Sequence, residues 1–580
     1  MTRGAEADNH ERAGLRLFAS CLLIICSVSI FNQTKVAGQA NVTPPQDLKR
    51  PYLPIRLMNL TTYGDTITQW LEPGTTNFAQ INWRDANLNR YDFRNEAKSE
   101  KFLADVLASR ESLKLKAEQA KRLGMYAYLN EYELNFPDFI SKQDLIPAEA
   151  RQKFMDEKLY ELLIACPWLD GYMITPTESK LGSANPVELK AVVMGAYQGM
   201  KRAEKKLGQK RYLFVRSWLS AASKLAAVKT YFPISNDPEI AKDIIIVAKD
   251  GLGDFVMRRP LNPLFGAVQP HSILAEFDVS VSEYRSLGWY PQGPADLWSS
   301  RMQQLVLTPG VVGVNIHTGR LSDVKGETPE SLFPRFKERQ ILYPFHGGVR
   351  WSPWHHLNIY TFYQLLKNPW VPPRKIYEDW ATENFGARSA KALSDILLLA
   401  DDALFHGMLT FGVNLNNHSS FLENPKMPIE GMKTAIEYQL RLQPYLAPLF
   451  EINSDVADRA LAEKDLAIEL VATMISILDK SEKDFSETDY RGIRADLQSM
   501  MGAIKGYSYV QAGYFAFQVA VAEPPVPHRA YYVKRVKDMV VDAEKLFDST
   551  PEFLNQKTNL SFINMTREFR TRLQAKGLWQ

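Results

Sequence analysis

The sequence predicts an α/β protein, a (β/α)8 barrel followed by a C-terminal α-helical domain. Three observations predict it. Between about residues 51 and 320, eight short runs rich in β-branched or aromatic residues alternate with amphipathic helical stretches. Alternation of this kind favours a parallel sheet covered by helices, and eight units favour closure. From about residue 355 the strand pattern stops and long helical segments follow. No glycine-rich fingerprint opens a helix after the first strand, which argues against an open doubly wound sheet.

The expected organisation is a leader over residues 1–40, a barrel over 41–350 and a helical domain over 351–580. In the leader, Arg12 and Arg16 precede the apolar stretch Leu17 to Phe31, and Gly38 and Ala40 offer a small-x-small cleavage site. The apolar run is short for a membrane span. A secretory signal is therefore expected, and with it export to a bacterial periplasm or the extracellular space, with no stable membrane insertion after its removal. Strands are expected at Ile55 to Asn59, Phe78 to Trp83, Met125 to Asn130, Tyr172 to Thr175, Tyr212 to Arg216, Ile244 to Lys249, Ile273 to Val279 and Val311 to Ile316. Helical periodicity marks Lys98 to Leu123, Ala148 to Ala165 and Val187 to Leu207 between them. The tryptophan- and proline-rich stretch Trp351 to Pro373 reads as a joining segment. Beyond it, helices are expected around Lys375 to Phe405, Gly431 to Phe450, Ala457 to Lys480, Arg491 to Ala520 and Ala530 to Leu546.

Composition narrows the function classes. With 69 Lys and Arg against 66 Asp and Glu among 580 residues, the formal charge is +3, and no long basic run marks a nucleic-acid footprint. Two of the three cysteines, Cys21 and Cys26, lie in the leader, so the remaining chain keeps only Cys166 and can form no internal disulfide. A large exported protein without disulfides suits a bacterial periplasm. Nine histidines and one cysteine leave few soft ligands, and His355-His356 has no partners at ligand spacing, so neither metal nor other cofactor is expected.

Three carboxylates stand just past predicted strands: Glu178 after the fourth, Asp254 after the sixth and Glu283 after the seventh. In a barrel the loops after the strands converge on one face, so acids distant in sequence can share proton-transfer work. Cleaving an acetal needs such a set, one carboxylic acid to protonate the leaving oxygen and a carboxylate opposite it. Glu178 is hemmed by Pro176 and Thr177, and partial desolvation would help it keep a proton near neutral pH. Gly251 and Gly253 allow a sharp turn that aims Asp254 into the barrel mouth. Glu276 and Asp278 share one face of the seventh strand, with Phe277 and Val279 on the other. Buried acids are costly unless paired, and Arg216, Lys249 and Arg258 are the available cations. Arg216 and Lys249, at the ends of neighbouring strands, can either neutralise those acids or bind an anionic group of a substrate. Trp218, Trp289, Trp298, Trp351 and Trp354 could stack on sugar rings or belong to the core.

At these residues the sequence resembles the family 67 glycoside hydrolases, α-glucuronidases acting on xylan-derived oligosaccharides. The resemblance rests on Gly253-Asp254-Phe255, Arg258, Pro260 and Pro263-Leu264-Phe265-Gly266-Ala267, followed by Glu276 and Glu283-Tyr284. Gly171-Tyr172 through Glu178-Ser179, Ile55 to Asn59, and His356 to Tyr360 through Trp380 extend it. It implies that Glu178 is the general acid and that Asp254 and Glu283 flank and activate the hydrolytic water. It also implies that Arg216 and Lys249 hold a uronate carboxylate, with Arg258 and Tyr284 in the substrate-binding set. The implied reaction is inverting hydrolysis, with acid and base roughly 6.5 to 9.5 Å apart to admit a water.

The chain departs from the family in three ways. Only about ten residues separate the leader from the first strand, where family members carry a β-rich domain. Ile174 or Thr175 stands where the family has a lysine before the general acid, and Arg259 replaces a glutamate. The expected partner is an oligosaccharide carrying a uronic acid, and a homodimer through the helical domain fits the same reading. A glycosidase for a different acidic sugar and a non-catalytic glycan-binding barrel are the alternatives.

Overall fold

Eight parallel strands pair in chain order: β1 (Ile55–Asn59), β2 (Phe78–Gln80), β3 (Tyr126–Glu131), β4 (Gly171–Ile174), β5 (Tyr212–Ser217), β6 (Ile244–Lys249), β7 (Ser272–Asp278) and β8 (Val311–His317). β8 pairs with β1 and closes the barrel. These come from a computed structural model that describes residues 53–59, 76–81, 100–131, 136, 140–176, 185–217, 231–251, 261–279, 290–317, 353–413, 428–549 and 556–579. The leader lies outside the described residues. Seven strands fall within one residue of the expected runs, and β2 is shorter, ending at Gln80.

Most strand residues are buried whichever face they point to, which explains why the runs are largely apolar. One face points into the barrel, where Leu57, Phe78, Tyr128, Met173, Phe214, Ile245, Val247 and Leu274 fill the interior. Phe78 meets Tyr212 edge-on at 4.9 Å and Phe214 at 5.7 Å, so aromatic rings plug the base of the barrel. The other face carries Ala127, Leu129, Tyr172, Ile174, Leu213, Val215 and Ile246 onto the surrounding helices.

Helices α1 (Glu100–Arg122), α2 (Ala148–Ala165), α3 (Pro186–Leu207), α4 (Pro238–Ala241) and α5 (Ala295–Leu307) cover that outer face. Helix α3 shows how the sequence sets its ends. The Asn185 side chain accepts from the Glu188 N–H, Pro186 sits in the first turn, and Gly208 turns out at φ 69°. Inside α3, Gly195 and Gly199 lie one turn apart against α2. A Cβ at Gly195 would stand 2.1 Å from the Gln152 carbonyl oxygen, so the helices approach to backbone contact.

The seam of the barrel has a comparable close approach. The pairing of β7 with β8 shifts register between Ile273 and Leu274, which face Val311 and Gly313. Gly313 faces Ile55 of β1, and a Cβ there would lie 1.8 Å from the Ile55 carbonyl oxygen. Since that oxygen belongs to the backbone, a side chain can enter only by opening the seam. Gly313→Ala is expected to cost about 2 kcal/mol or more, read as a lower urea midpoint. An unchanged midpoint would show that the seam adapts freely.

Beyond the barrel, α6 (Pro353–Lys367), α7 (Pro373–Phe385), α8 (Ala390–Met408), α9 (Pro428–Leu442), α10 (Ser454–Lys480), α11 (Glu487–Ala520), α12 (Arg529–Ser549) and α13 (Gln556–Ala575) form the helical part. Three expectations need correction. The stretch taken as a joining segment contains α6, because a proline in the first turn starts a helix rather than preventing one. The run from Lys375 breaks at Gly386, and the run from Gly431 ends at Leu442, followed by a 3-10 turn from Pro444. Helix α13 was not anticipated.

The 34-residue α11 is the spine of this part, and its last two turns are buried almost all round. A continuous apolar core runs from Ala275, Phe277, Val314 and Ile316 on the outer faces of β7 and β8 to Phe569 and Leu573 on α13. Residues 52–580 make one compact unit. Trp298 and Trp354 belong to this core, at 4% and 0% exposure, while Trp218, Trp289 and Trp351 lie outside the described residues. Buried Lys464 on α10 donates to the His406 carbonyl at 2.7 Å and to that of Leu409, closing the end of α8. Among the described residues no helix is long and apolar enough to cross a membrane.

Candidate active site

Above the apolar plug, the inward positions of the same strands turn polar. Gln80, Asn130, Thr175, Arg216, Lys249, Glu276 and Asn315 are all buried and lie at the C-terminal ends of β2 to β8. One step of two residues along each strand takes Phe78 to Gln80, Tyr128 to Asn130, Phe214 to Arg216, Val247 to Lys249 and Leu274 to Glu276. The change of character marks the functional end of the barrel, because an apolar interior would be the cheaper filling.

Hydrogen bonds tie the layer together. The Thr175 hydroxyl donates to Asn130 Oδ1 at 3.2 Å, and Asn130 Nδ2 donates to Gln80 Oε1 at 3.3 Å. The Tyr128 hydroxyl lies 3.4 Å from Gln80 Oε1 and 3.5 Å from Asn315 Oδ1, which are long contacts. Burial, and then the charge of Glu276, push the Tyr128 phenol well above its usual range, so it stays a proton donor at all ordinary pH.

The strongest contact in the layer is ionic. Arg216 Nε donates to Glu276 Oε2 at 2.7 Å and Nη2 to Oε1 at 2.9 Å, a bidentate pair with both side chains at or below 5% exposure. Register places Lys249 beside Glu276 and Glu276 beside Asn315. Glu276 and Asp278 point inward while Phe277 packs outward, as strand alternation requires. Of the cations available to pair the buried acids, Arg216 takes Glu276. The neutralising role open to Arg216 is therefore filled, and Lys249 stands adjacent on the next strand.

The segments carrying the proposed acids leave from this rim. Glu178 comes two residues after Pro176, which follows β4; Asp254 and Arg258 fall between Gly251 and Leu261; Glu283 and Tyr284 follow Val279. Glu178, Asp254, Arg258, Glu283 and Tyr284 themselves lie outside the described residues. Their described flanks are firmly held. The Thr175 N–H donates to the Glu131 carbonyl at 3.0 Å, continuing the β3–β4 ladder by one rung toward Glu178. Gly251 and Leu261 form an antiparallel bridge that closes the base of the segment bearing Asp254.

Two charged groups near the rim escaped the sequence reading. Glu131 ends β3 but faces outward, where the Tyr172 hydroxyl donates to it at 2.5 Å and Lys158 of α2 lies 3.6 Å away, all three buried. It is a charge locked between barrel and helix rather than a group of the mouth. Asp250, the residue after β6, meets Arg301 of α5. Neither pair shows in local sequence, since 27 and 51 residues separate the partners. Cys166, at the end of α2, is buried, and burial pushes its thiol up to about 11, so it is no nucleophile near neutral pH.

No protein-family model matches the sequence, and no curated protein matches it. Solved structures do resemble the fold. A GH138 enzyme targeting pectin rhamnogalacturonan II superposes with a TM-score of 0.58 at 12% identity, covering 94% of this chain and 86% of that one. At such low identity the likeness establishes a shared architecture. A GH115 4-O-methyl-α-glucuronidase with specificity for decorated arabinogalactans is more distant, with a TM-score of 0.43 at 10% identity over 89% of this chain and 62% of that one. A Thermobaculum terrenum O-GlcNAc hydrolase mutant has a TM-score of 0.39 at 11% identity, over 91% and 97%.

Proposed function

We propose that the protein is an exo-acting glycoside hydrolase that removes a terminal α-linked glucuronic acid, or its 4-O-methyl form, from an oligosaccharide by inversion. One observation carries the reading: a buried polar layer with two cations and a carboxylate fills the C-terminal end of the barrel, at the rim from which the Glu178, Asp254 and Glu283 segments depart. A mouth of this kind suits an anionic sugar, because cations on the rim offset repulsion between a uronate and the water-activating acids. The family resemblance assigns the roles. Glu178 protonates the leaving oxygen, Asp254 and Glu283 hold and deprotonate the water, and Lys249, Arg258 and Tyr284 receive the uronate, while Arg216, whose Nε and Nη2 are committed to Glu276, adds only its remaining N–H groups. The 1–40, 41–350 and 351–580 division, and export to a periplasm or the extracellular space, belong to the same proposal.

A second reading, hydrolysis of a different acidic sugar, has its own support. Thr175 occupies one of the two places where the resemblance calls for a lysine, and it is buried with its hydroxyl committed to Asn130. The fold is also that of an enzyme directed at a pectic polysaccharide. A panel of aldouronic, arabinogalactan-derived and pectic oligosaccharides, with identification of the released sugar, separates the two. Glucuronic acid or its methyl ether supports the first reading and another uronate the second. Saturable binding without release across pH 4 to 8, the span of carboxyl and imidazole titration, contradicts both.

A further inference from the structure

The aromatic plug of the barrel reaches the surface at the end opposite the mouth. Tyr126 and Tyr212 are the first residues of β3 and β5, and both point inward, as Tyr128 and Phe214 do two residues further on. β4 runs between them and begins at Gly171, in register with Tyr128 on one side and Tyr212 on the other. Gly171 puts no side chain between its neighbours, and a Cβ there would already lie 3.2 Å from Tyr128 Cβ and from the Tyr212 carbonyl oxygen. The two tyrosine rings therefore meet across β4, with centroids 5.8 Å apart. Phe78 backs both, at 5.0 Å from Tyr126 and 4.9 Å from Tyr212, and Phe214 stacks on Tyr212 at 6.3 Å and 9°. Tyr126 stays 48% exposed, whereas Tyr128 above it is fully buried. A ring held open to solvent and stiffened from below loses little freedom when a second ring stacks on it.

Cations stand round the same end. Lys210 Nζ lies 5.6 Å from the Tyr212 ring centroid. Parallel strands require the helices to run back from the mouth, so their last turns come to the base. Those turns carry Lys121 and Arg122 in α1 and Lys205 and Lys206 in α3, all exposed, as is Lys210. Acids are interspersed: Asp170 lies 3.9 Å from Lys121, and Asp243 lies 3.9 Å from Lys210 and 3.1 Å from Lys201. An aromatic platform edged by cations suits a polysaccharide carrying carboxylates or a single-stranded nucleic acid. The interspersed acids favour the polysaccharide. A nucleic acid has a charge on each nucleotide and tracks a continuous positive groove, whereas a neutral glycan backbone with occasional uronates needs only a few cations beside a stacking surface.

We propose that Tyr126 and Tyr212, with Lys205, Lys206 and Lys210, form a second carbohydrate-binding site at the base of the barrel, which holds a polysaccharide whose neutral backbone carries scattered uronic acids. Sugar rings stack on Tyr126 while the lysines pair with the carboxylates. The choice of polymer rests on the reading of the mouth as uronate-directed, and the platform itself does not. Because the base faces away from the mouth, the site keeps the protein on its polymer without occupying the catalytic end.

The test titrates the full-length protein, in a Glu178→Gln background that keeps the polymer intact, with glucuronoxylan, with a glucuronate-bearing arabinogalactan, and with both polymers after reduction of their carboxyl groups. At least one acidic polymer should bind. Tyr126→Ala should weaken that binding by about fivefold or more, and Tyr126→Phe should retain it. Lys205→Glu combined with Lys206→Glu should weaken it to a similar degree and remove most of its salt dependence, and the reduced polymer should bind as weakly. With Glu178 restored, each variant should cleave a short oligosaccharide within about twofold of the wild-type rate, as expected for sites far apart. Binding of neither polymer overturns the proposal, as does unchanged affinity in Tyr126→Ala, equal affinity for the reduced polymer, or tighter binding of single-stranded DNA. A fall in short-oligosaccharide turnover as large as the loss of affinity also overturns it, by making the effect a structural one. Should Tyr126→Ala not fold, the lysine variant decides in its place. If the wild-type protein releases no sugar from any oligosaccharide, the glycosidase reading fails by itself, while polymer affinity that still drops in Tyr126→Ala upholds the second site.

Discussion

Glu178→Gln lowers turnover on the oligosaccharide by about 10² to 10⁴-fold, the usual worth of general acid catalysis. Glutamine keeps the size and one hydrogen bond of the acid but holds no transferable proton. A sugar alkoxide is a poor leaving group and depends on that proton, whereas fluoride does not. The variant should therefore recover most of its rate on a glycosyl fluoride, and the alkaline limb of its pH–rate profile should disappear. Equal losses on both substrates would assign Glu178 to the water side or to structure. A wild-type rate on the oligosaccharide would remove it from the mechanism.

Glu276→Leu should cost about 3 to 5 kcal/mol, the penalty for leaving one member of a buried ion pair without its partner. Arg216 gives two of its N–H groups to Glu276 at 2.7 and 2.9 Å inside the barrel. Deleting the carboxylate leaves that cation buried in the polar layer near Tyr128, with Lys249, a second cation, on the neighbouring strand. Against a typical domain stability of about 5 to 15 kcal/mol this is a large fraction. The double variant Glu276→Leu with Arg216→Met should recover much of the loss, because both buried charges are then gone. Equilibrium urea unfolding of the two single variants and the double measures the coupling. Additive losses would mean that the pair contributes no interaction of its own.

The barrel was legible because each strand is buried on both faces, so its apolar run is short, continuous and bounded by turns. β6 matches its expected bounds residue for residue, as does α2, whose ends follow Pro147 and precede Cys166. The inward face of β7 was legible for a similar reason: alternation alone puts Glu276 and Asp278 together. Sequence also named the cations able to pair with them. It could not choose Arg216, since that choice depends on the stagger of strands separated by sixty residues. The helical part was less legible. Long amphipathic stretches merged across Gly386, and the tryptophans and prolines of Trp351 to Pro373 gave α6 the look of a joining segment, although the Trp354 ring packs 6.1 Å from that of Trp380 in the core. Asp250 with Arg301 and Glu131 with Lys158 were invisible, because each pair joins a strand end to a helix behind it. Nothing local distinguishes such a charge from a solvated one.

The central claim is that the mouth of this barrel hydrolyses a terminal α-uronoside by single displacement, with Glu178 as the acid. Time-resolved proton NMR of the reaction with an aldouronic or related acidic oligosaccharide tests it most directly. The account predicts that the free uronic acid appears first as its β-anomer and only later mutarotates, and that Glu178→Gln at equal concentration shows no such signal on the same timescale. First appearance of the α-anomer, or the same β-signal at an undiminished rate from Glu178→Gln, would contradict it.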